Sequence, residues 1–198
     1  LWLVLLFSPA GRQNWQFLQL DRARFAQVNL LLASSPVSSP AFMDDARRLG
    51  LAYFLRQEMD AAIAVWQGDK QSGPFLRQQG MVAFYEGEWE TAVTWFTLAL
   101  QIDGTDGLAH YWLGKSYESQ GNLAQARHHY DLALAALRES GPTAVVAEAW
   151  EGRGRVLAQS GEWEAAADSF AQAVALFPDN PDYLQQLRQV NLLLQREE

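Results

Sequence analysis

The residues that could take part in chemistry are few in this chain. It has no cysteine, which excludes disulfides, thiolate metal sites and a cysteine nucleophile. Two of its three histidines, His128 and His129, are neighbours in the sequence. On a helix their side chains would diverge by about 100°, so they could not jointly bind a metal ion. A surface position is expected for both, and no metal site is predicted.

One segment resembles a calcium-binding loop, Asp103-Gly104-Thr105-Asp106-Gly107. Such a loop needs a bidentate glutamate at its twelfth position, where this sequence has Gly114. The sequence also lacks the glycine-rich dinucleotide loop, the P-loop, the Gly-x-Ser-x-Gly elbow and the His-Glu-x-x-His motif. It therefore indicates a protein that is not an enzyme and that uses no cofactor.

Composition favours a helical protein that does not bind nucleic acid. Hydrophobic residues make up 49% of the 198 residues, which is enough for a folded core. The alternating pattern typical of strands is missing, so an all-α fold is expected. The net charge of -8 disfavours nucleic acid as a partner, because neutralising phosphates requires a basic surface.

Four copies of one pattern run through the chain. A glycine is followed twelve residues later by an alanine and sixteen residues later by an aromatic residue. The glycines are Gly50, Gly80, Gly114 and Gly154, the alanines Ala62, Ala92, Ala126 and Ala166, and the aromatic residues Trp66, Phe96, Tyr130 and Phe170. Three copies have a second glycine seven residues after the first, namely Gly87, Gly121 and Gly161. Small residues let two helices approach closely, and a glycine between them reaches the positive φ of a tight turn. The pattern predicts four pairs of helices.

These residues resemble the tetratricopeptide repeat, in which Trp-x2-Leu-Gly-x2-Tyr, Ala-x3-Phe-x2-Ala and Pro recur about every 34 residues. The resemblance implies an α-solenoid, a right-handed superhelix of antiparallel helix pairs. Its repeats fall at about 43–72, 73–106, 107–146 and 147–180. The first copy is the weakest, with Gln57 in place of the turn glycine and Asp69 in place of the last alanine. In the third copy His110 replaces the usual Trp, so we expect it to be a partly buried packing residue.

The copies are unequal in length, since their aligned glycines are 30, 34 and 40 residues apart. The additional residues of the third copy lie around 138–146 and are expected to lengthen its loop or its second helix. After the repeats, Tyr183, Leu187, Val190 and Leu194 form an apolar stripe at helical spacing. The stripe predicts a C-terminal capping helix over 181–198.

Residues 1–40 differ from the repeats in composition. Residues 1–7 are all apolar. This run is too short to cross a bilayer, which needs about 20 residues, but we expect it to be the end of a membrane anchor. Part of a signal peptide and a buried terminus are the alternatives. A stripe between Trp15 and Leu32 predicts a membrane-proximal helix, and a Ser/Pro linker follows it.

The family resemblance also implies a binding surface, the concave groove lined by the first helix of each pair. Carrying its positions over gives nine candidates: Arg47, Arg77, Met81, Phe84, Tyr85, Tyr111, Trp112, Lys115 and Arg155. They predict a basic and aromatic groove suited to an acidic segment of a partner protein. The alternative is that the cations only solvate helix surfaces while the aromatic residues pack on the preceding helix. Some family members bind chaperone tails through an asparagine that Leu51 or Met81 replaces here, which argues against an adaptor of that kind.

The order of an apolar end, a helix, a linker and repeats is similar to bacterial membrane proteins that carry tetratricopeptide domains. The sequence thus predicts a non-catalytic scaffold or adaptor, a membrane-tethered subunit of a bacterial multiprotein complex at the plasma membrane. Either side of the membrane is compatible with the arginines near residue 12 and beyond. The alternative is the soluble tail of a larger membrane enzyme, such as a polysaccharide polymerase or ligase, with its catalytic part upstream of residue 1.

Overall fold

The computed structural model describes residues 40–55, 57–139 and 141–197. Over these ranges it contains nine α-helices and no strand, as the predicted all-α fold requires. The helices are α1 (Pro40–Leu55), α2 (Met59–Gln67), α3 (Ser72–Tyr85), α4 (Trp89–Ile102), α5 (Gly107–Ser119), α6 (Leu123–Leu137), α7 (Thr143–Gln159), α8 (Trp163–Leu176) and α9 (Pro181–Glu197). None of these helices is long and apolar enough to cross a membrane. The predicted apolar end, the membrane-proximal helix and most of the Ser/Pro linker lie outside the described residues.

The chain divides into two compact units, Leu1–Phe75 and Leu76–Glu198. In the first unit α2 packs on α1 through Trp66, which is fully buried. A Cβ added to Gly50 would lie 2.2 Å from the Trp66 indole nitrogen, so only glycine lets the two helices approach this closely. The indole nitrogen also donates a hydrogen bond to the Arg47 carbonyl oxygen at 3.3 Å. The weakest copy of the pattern is therefore still a packed helix pair.

Asp69, which departs from the repeat pattern, has a defined role in this unit. Its carboxylate is buried and accepts hydrogen bonds from the Gln71 backbone nitrogen at 3.0 Å and from Ser72 Oγ at 3.1 Å. The Nε atom of Arg47 lies 3.5 Å from Asp69 Oδ2. A buried carboxylate needs such partners, and here they fix the chain at the start of α3.

The second unit repeats the same contact three times. A Cβ added to Gly80, Gly114 or Gly154 would lie 2.5, 2.8 or 2.7 Å from the aromatic ring on the following helix. These rings belong to Phe96, Tyr130 and Phe170. Ala92, Ala126 and Ala166, one on each second helix, are completely buried. The aligned residues thus mark where the two helices of each pair meet, as the sequence predicts.

The turns inside the pairs confirm the second glycine of the pattern. Gly87, Gly121 and Gly161 have φ between 74° and 79°. The first copy has Gln57 at this place with φ 65°, in a conformation that costs a residue with a Cβ more than it costs glycine. The first copy therefore has the same turn as the other three, with Gln57 in place of the glycine.

The long third spacing is accommodated differently from the expectation. Helix α7 has 17 residues, against 13 in α5, the first helix of the preceding pair. Helix α6 has 15 residues, one more than α4 or α8. Most of the additional length therefore extends the first helix of the fourth pair at its N-terminal end, and α7 starts four residues before the predicted repeat boundary at 147.

Helix α9 packs on α8 through its apolar side. Val190 joins the core of Leu157, Ala166 and Phe170, with Leu187 and Leu194 packed against it. Tyr183 forms a second cluster with Ala147 and Ala173. A role for α9 as the cap of a solenoid stays a prediction.

Candidate protein-binding site

Eight of the nine predicted groove residues lie in the second unit, on α3, α5 and α7. Arg47 lies on α1 of the first unit and neighbours Asp69, as described above. Met81 is half-buried on α3. The other seven divide into an aromatic group around Lys115 and two arginines that are held by carboxylates.

The first group, called the Lys115 cluster below, consists of Phe84, Tyr85, Trp112 and Lys115. It joins α3 to α5, because the Phe84 and Trp112 ring centroids are 5.3 Å apart and those of Tyr85 and Trp112 are 5.7 Å apart. Both pairs meet edge to face, which is a favourable arrangement for aromatic rings. Tyr85 is 73% exposed although it touches two rings, so one face of the cluster is open to solvent.

Lys115 is placed among these rings. Its Nζ atom lies 4.9 Å from the Trp112 ring centroid, 5.3 Å from that of Tyr111 and 5.6 Å from that of Phe84. Attraction between an ammonium group and aromatic faces stabilises such positions. Lys115 forms no ion pair within the described part of the chain, so no carboxylate there is in direct contact with its ammonium group.

Tyr111 connects Lys115 to α7. Its buried hydroxyl donates a hydrogen bond to Glu148 Oε2 and accepts one from Lys115 Nζ at 3.2 Å. Burial, together with the hydrogen bond to Glu148, raises the pKa of Tyr111 above its ordinary value. The phenol therefore stays protonated at neutral pH. An ammonium group has three N–H donors. Lys115 uses one of them for Tyr111, so the others remain for an acceptor on a partner.

The second group, called the Arg155 network below, consists of Arg155, Glu118, Glu151 and Tyr130. Arg155 binds Glu118 through two hydrogen bonds of 2.8 and 3.0 Å, and its third nitrogen lies 2.6 Å from Glu151 Oε1. The Tyr130 hydroxyl donates to Glu118 at 2.6 Å. Burial lowers the pKa of Arg155, but the bonds and charges of Glu118 and Glu151 outweigh it and raise this pKa above its ordinary value.

The Arg155 network joins four helices of the second unit. Glu118 lies on α5, Tyr130 on α6, and Arg155 and Glu151 on α7. Gln186 of α9 donates from Nε2 to Glu151 Oε1 at 2.7 Å. This arrangement holds the four helices together. All three nitrogens of the Arg155 guanidinium contact carboxylates of the protein.

Arg77 is also engaged by the protein. It donates to Asp106 Oδ2, and the other oxygen of Asp106 accepts the backbone N–H groups of Leu108 and Ala109 at 3.0 and 3.1 Å. Asp106 is thus the N-cap of α5 as well as the partner of Arg77. The segment that resembles a calcium loop is the junction between α4 and α5.

The structure corrects the expected charge of this surface. Arg77, Lys115 and Arg155 share it with four carboxylates, so it is not basic. These are the carboxylates of Asp106, Glu118, Glu148 and Glu151. The groove predicted from the sequence consists only of cations and aromatic residues, apart from Met81, and so does not include them. The sequence did contain a signal for these acids. Glu118 in the third copy, and Glu148 and Glu151 in the fourth, stand at positions that line the groove in the family.

The comparisons with known proteins agree with the helix pairs. Residues 105–179 match the family model of the tetratricopeptide repeat. This part of the chain is similar to tetratricopeptide repeats. The sequence matches no curated protein.

Solved structures with the same fold include three tetratricopeptide domains. The first domain of Spaghetti (RPAP3), bound to the HSP90 peptide SRMEEVD, is 21% identical with a TM-score of 0.58, over 64% of this chain and 95% of that one. The N-terminal domain of stress-induced protein-1 from C. elegans is 15% identical with a TM-score of 0.56, over 61% and 95%. The second domain of human RPAP3, in complex with the HSP70 peptide SGPTIEEVD, is 19% identical with a TM-score of 0.53, over 60% and 98%. These likenesses show the fold of the repeats.

Proposed function

We propose that this protein is a non-catalytic interaction module, a scaffold or adaptor that binds an acidic segment of a partner protein at the Lys115 cluster. The observation that carries the proposal is the position of Lys115, whose ammonium group lies among three aromatic rings without a carboxylate partner in the described chain. Two of the similar tetratricopeptide domains are bound to peptides that end in Glu-Glu-Val-Asp, which supports an acidic segment.

The chemistry of the cluster favours a particular kind of segment. The open side of Tyr85 and the half-buried Phe84 provide apolar area for a hydrophobic side chain, with the buried Trp112 packed against both rings. Lys115 is already held by the rings and by Tyr111. Less side-chain entropy is therefore lost when a carboxylate binds it than when a carboxylate binds a mobile lysine. A hydrophobic residue next to an aspartate or glutamate meets both requirements. Leu51 and Met81 replace the asparagine of the chaperone-tail clamp, so the proposed contact differs from that mode.

A peptide selection tests the proposal. A random peptide library displayed on phage would be selected against the protein and against Lys115→Glu. We expect the first selection to enrich hydrophobic residues next to acidic ones, and the variant to lose this preference. Arg188→Glu, a charge reversal at an exposed position of α9, is the matched control and is expected to select the same peptides as the unaltered protein. Identical peptides from Lys115→Glu would contradict binding at the cluster.

We also propose that residues 1–39 tether the repeats to a bacterial plasma membrane, where the module belongs to a multiprotein complex. The apolar run of residues 1–7 supports the tether. Expression of residues 1–198 and 40–198 in a bacterium, followed by fractionation, tests it. The longer protein is expected in the membrane fraction and the shorter one in the supernatant. An equal distribution of the two proteins would exclude the tether.

A further inference from the structure

Two histidines form a direct contact between α5 and α6. The Nδ1 atoms of His110 and His129 are 3.1 Å apart, and their rings stack with centroids 5.3 Å apart and an interplanar angle of 25°. Tyr117 of α5 also stacks on His129, with ring centroids 5.5 Å apart and the two rings nearly parallel. His128 meets His129 edge to face at 5.2 Å. His129 is half-buried, which corrects the expected surface position, whereas His128 is exposed as predicted.

The contact between the two Nδ1 atoms is possible only in some protonation states. A hydrogen bond needs a proton on one Nδ1 and a free lone pair on the other. When both rings are protonated, two N–H donors and two positive charges face each other at 3.1 Å. The second proton therefore removes the hydrogen bond and replaces it with repulsion.

The charged groups around the pair do little to relieve this repulsion. Asp106, at the start of α5, is the carboxylate that acts on His110, and it already binds Arg77. On α6, Arg127 pairs with Glu162 before α8, and Asp131 pairs with Arg153 of α7.

Asp103, in the turn between α4 and α5, accepts hydrogen bonds from Thr105. The charge of His128 lowers the pKa of both rings of the pair. Across the described ranges neither ring of the pair forms an ion pair.

Burial reinforces the neutral state of both rings. It lowers the pKa of His129 to about 4, with further lowering by the charges of His110 and His128. Burial also lowers the pKa of His110, although a hydrogen bond with the Gly104 backbone and the charge of Asp106 act against it. The unfolded chain, with an ordinary pKa of 6.5, binds protons more readily than the folded chain. The stability of the pair is thus fully present above pH 6.5 and is lost as the pH falls from 6.5 towards 4.

We propose that the His110–His129 pair is an acid-sensitive latch that strengthens the packing of α5 against α6 at neutral pH and weakens it when both rings are protonated. Helix α5 also carries Tyr111, Trp112 and Lys115, so the weakened interface adjoins the helix that positions the Lys115 cluster. The contact of Gly114 with the Tyr130 ring and the Tyr130–Glu118 hydrogen bond still hold α5 to α6. The latch itself does not depend on the proposed binding of a peptide, and it is tested without one.

Urea unfolding at about pH 8 and about pH 5 tests the latch in the chain as it exists. With a pKa of about 4 in the folded and 6.5 in the unfolded state, His129 alone raises the unfolding equilibrium constant about 30-fold between these pH values. His129→Phe keeps the stack on Tyr117 and removes the proton site. When the pH falls from about 8 to about 5, its unfolding equilibrium constant is therefore expected to rise by a factor about 30-fold smaller than that of the unaltered protein. His128→Gln, at the exposed neighbour, is the matched control and is expected to keep most of the increase.

An NMR titration of the histidine ring protons in the unaltered protein gives an independent result if His129→Phe does not fold. Resonances of His129 are expected to titrate near pH 4. A midpoint near 6.5 for His129, or the same pH dependence of unfolding for the unaltered protein and a folded His129→Phe, would overturn the proposal.

Discussion

The Lys115 cluster and the Arg155 network use the same position of the repeat for different purposes. Lys115 and Arg155 each follow the aligned glycine of their copy by one residue, on α5 and α7. Lys115 faces three rings and forms no ion pair within the described chain, whereas Arg155 is bound by two carboxylates. The cation at this position is therefore open to a partner on α5, where no carboxylate binds it directly, and is occupied on α7, where two carboxylates do.

The Arg155 network and the Lys115 cluster also differ in what they contribute to stability and to binding. Glu118 and Glu151 are only 15% and 17% exposed, so they depend on Arg155 to compensate their charges. No buried carboxylate depends on Lys115 in the same way. Changes in the Arg155 network should therefore affect folding first, and changes in the Lys115 cluster should affect binding first.

The largest effect on stability is expected for Arg155→Ala. It leaves Glu118 and Glu151 without their cation, and we expect a loss of about 2 kcal/mol in the free energy of unfolding, reduced from the value of a fully buried pair because Arg155 is 33% exposed. Urea denaturation followed by tryptophan fluorescence measures it. The control Arg188→Ala should change stability by less than about 0.5 kcal/mol. A loss as small as that for Arg155→Ala would mean that the network contributes little.

A somewhat smaller loss, about 1.5 kcal/mol, is expected for Gly152→Ala. Its Cβ would lie 2.4 Å from the Cζ atom of Tyr130, the residue whose hydroxyl binds Glu118. The ring would have to move, which weakens the network from the side of α6. Gly73→Ala is the matched control, because a Cβ there has no neighbour within 4 Å, and it should be neutral or slightly stabilising. Equal stabilities of the two variants in urea would show that the Tyr130 ring yields without cost.

For Lys115→Glu we expect the reverse pattern, with a larger effect on binding than on stability. Affinity for a selected acidic peptide should fall at least about 10-fold, which corresponds to about 1.4 kcal/mol. Isothermal titration calorimetry measures the affinity, and urea denaturation in parallel should show a loss of no more than about 1 kcal/mol, the contribution of the contacts between the ammonium group and the rings. Unchanged affinity would remove Lys115 from the contact, and a large loss of stability would show that it belongs to the framework as Arg155 does.

The smallest effect is expected for Tyr85→Ala. Tyr85 is mostly exposed, so its removal should hardly change the free energy of unfolding. Removing its ring from the open side of the cluster should reduce peptide affinity about 5-fold, or about 1 kcal/mol. The same calorimetric titration checks this value, with Val82→Ala on the same helix, another exposed position, as the control. Equal affinities of the two variants would place the apolar contact elsewhere.

The sequence predicts the helix pairs well because their contacts repeat. Gly80 and Phe96, or Gly154 and Phe170, recur at fixed spacing, and the close approach of glycine to a ring leaves few other residues possible. The long α7 was not predicted, because a spacing of 40 residues does not say which element takes up the additional length.

The electrostatics of the site were less predictable for a similar reason. The pairing of Glu151 with Arg155 is readable from a separation of four residues on one helix. The hydrogen bonds that Arg155 donates to Glu118 and that Tyr111 donates to Glu148 join residues 37 positions apart, and only the packing of α5 beside α7 brings them together. The same holds for His110 and His129, whose proximity depends on the rotation of α5 against α6.

Chemical-shift mapping by NMR tests the central claim most directly. The protein, labelled with ¹⁵N, would be titrated with a selected acidic peptide and with the same peptide in which glutamine and asparagine replace the acids. We predict that the acidic peptide shifts the Trp112 indole and the amides of Tyr85 and Lys115, while the amides of Glu151 and Arg155 stay in place, and that the neutral peptide has little effect. The largest shifts at Glu151 and Arg155, or equal shifts with both peptides, would contradict binding at the Lys115 cluster.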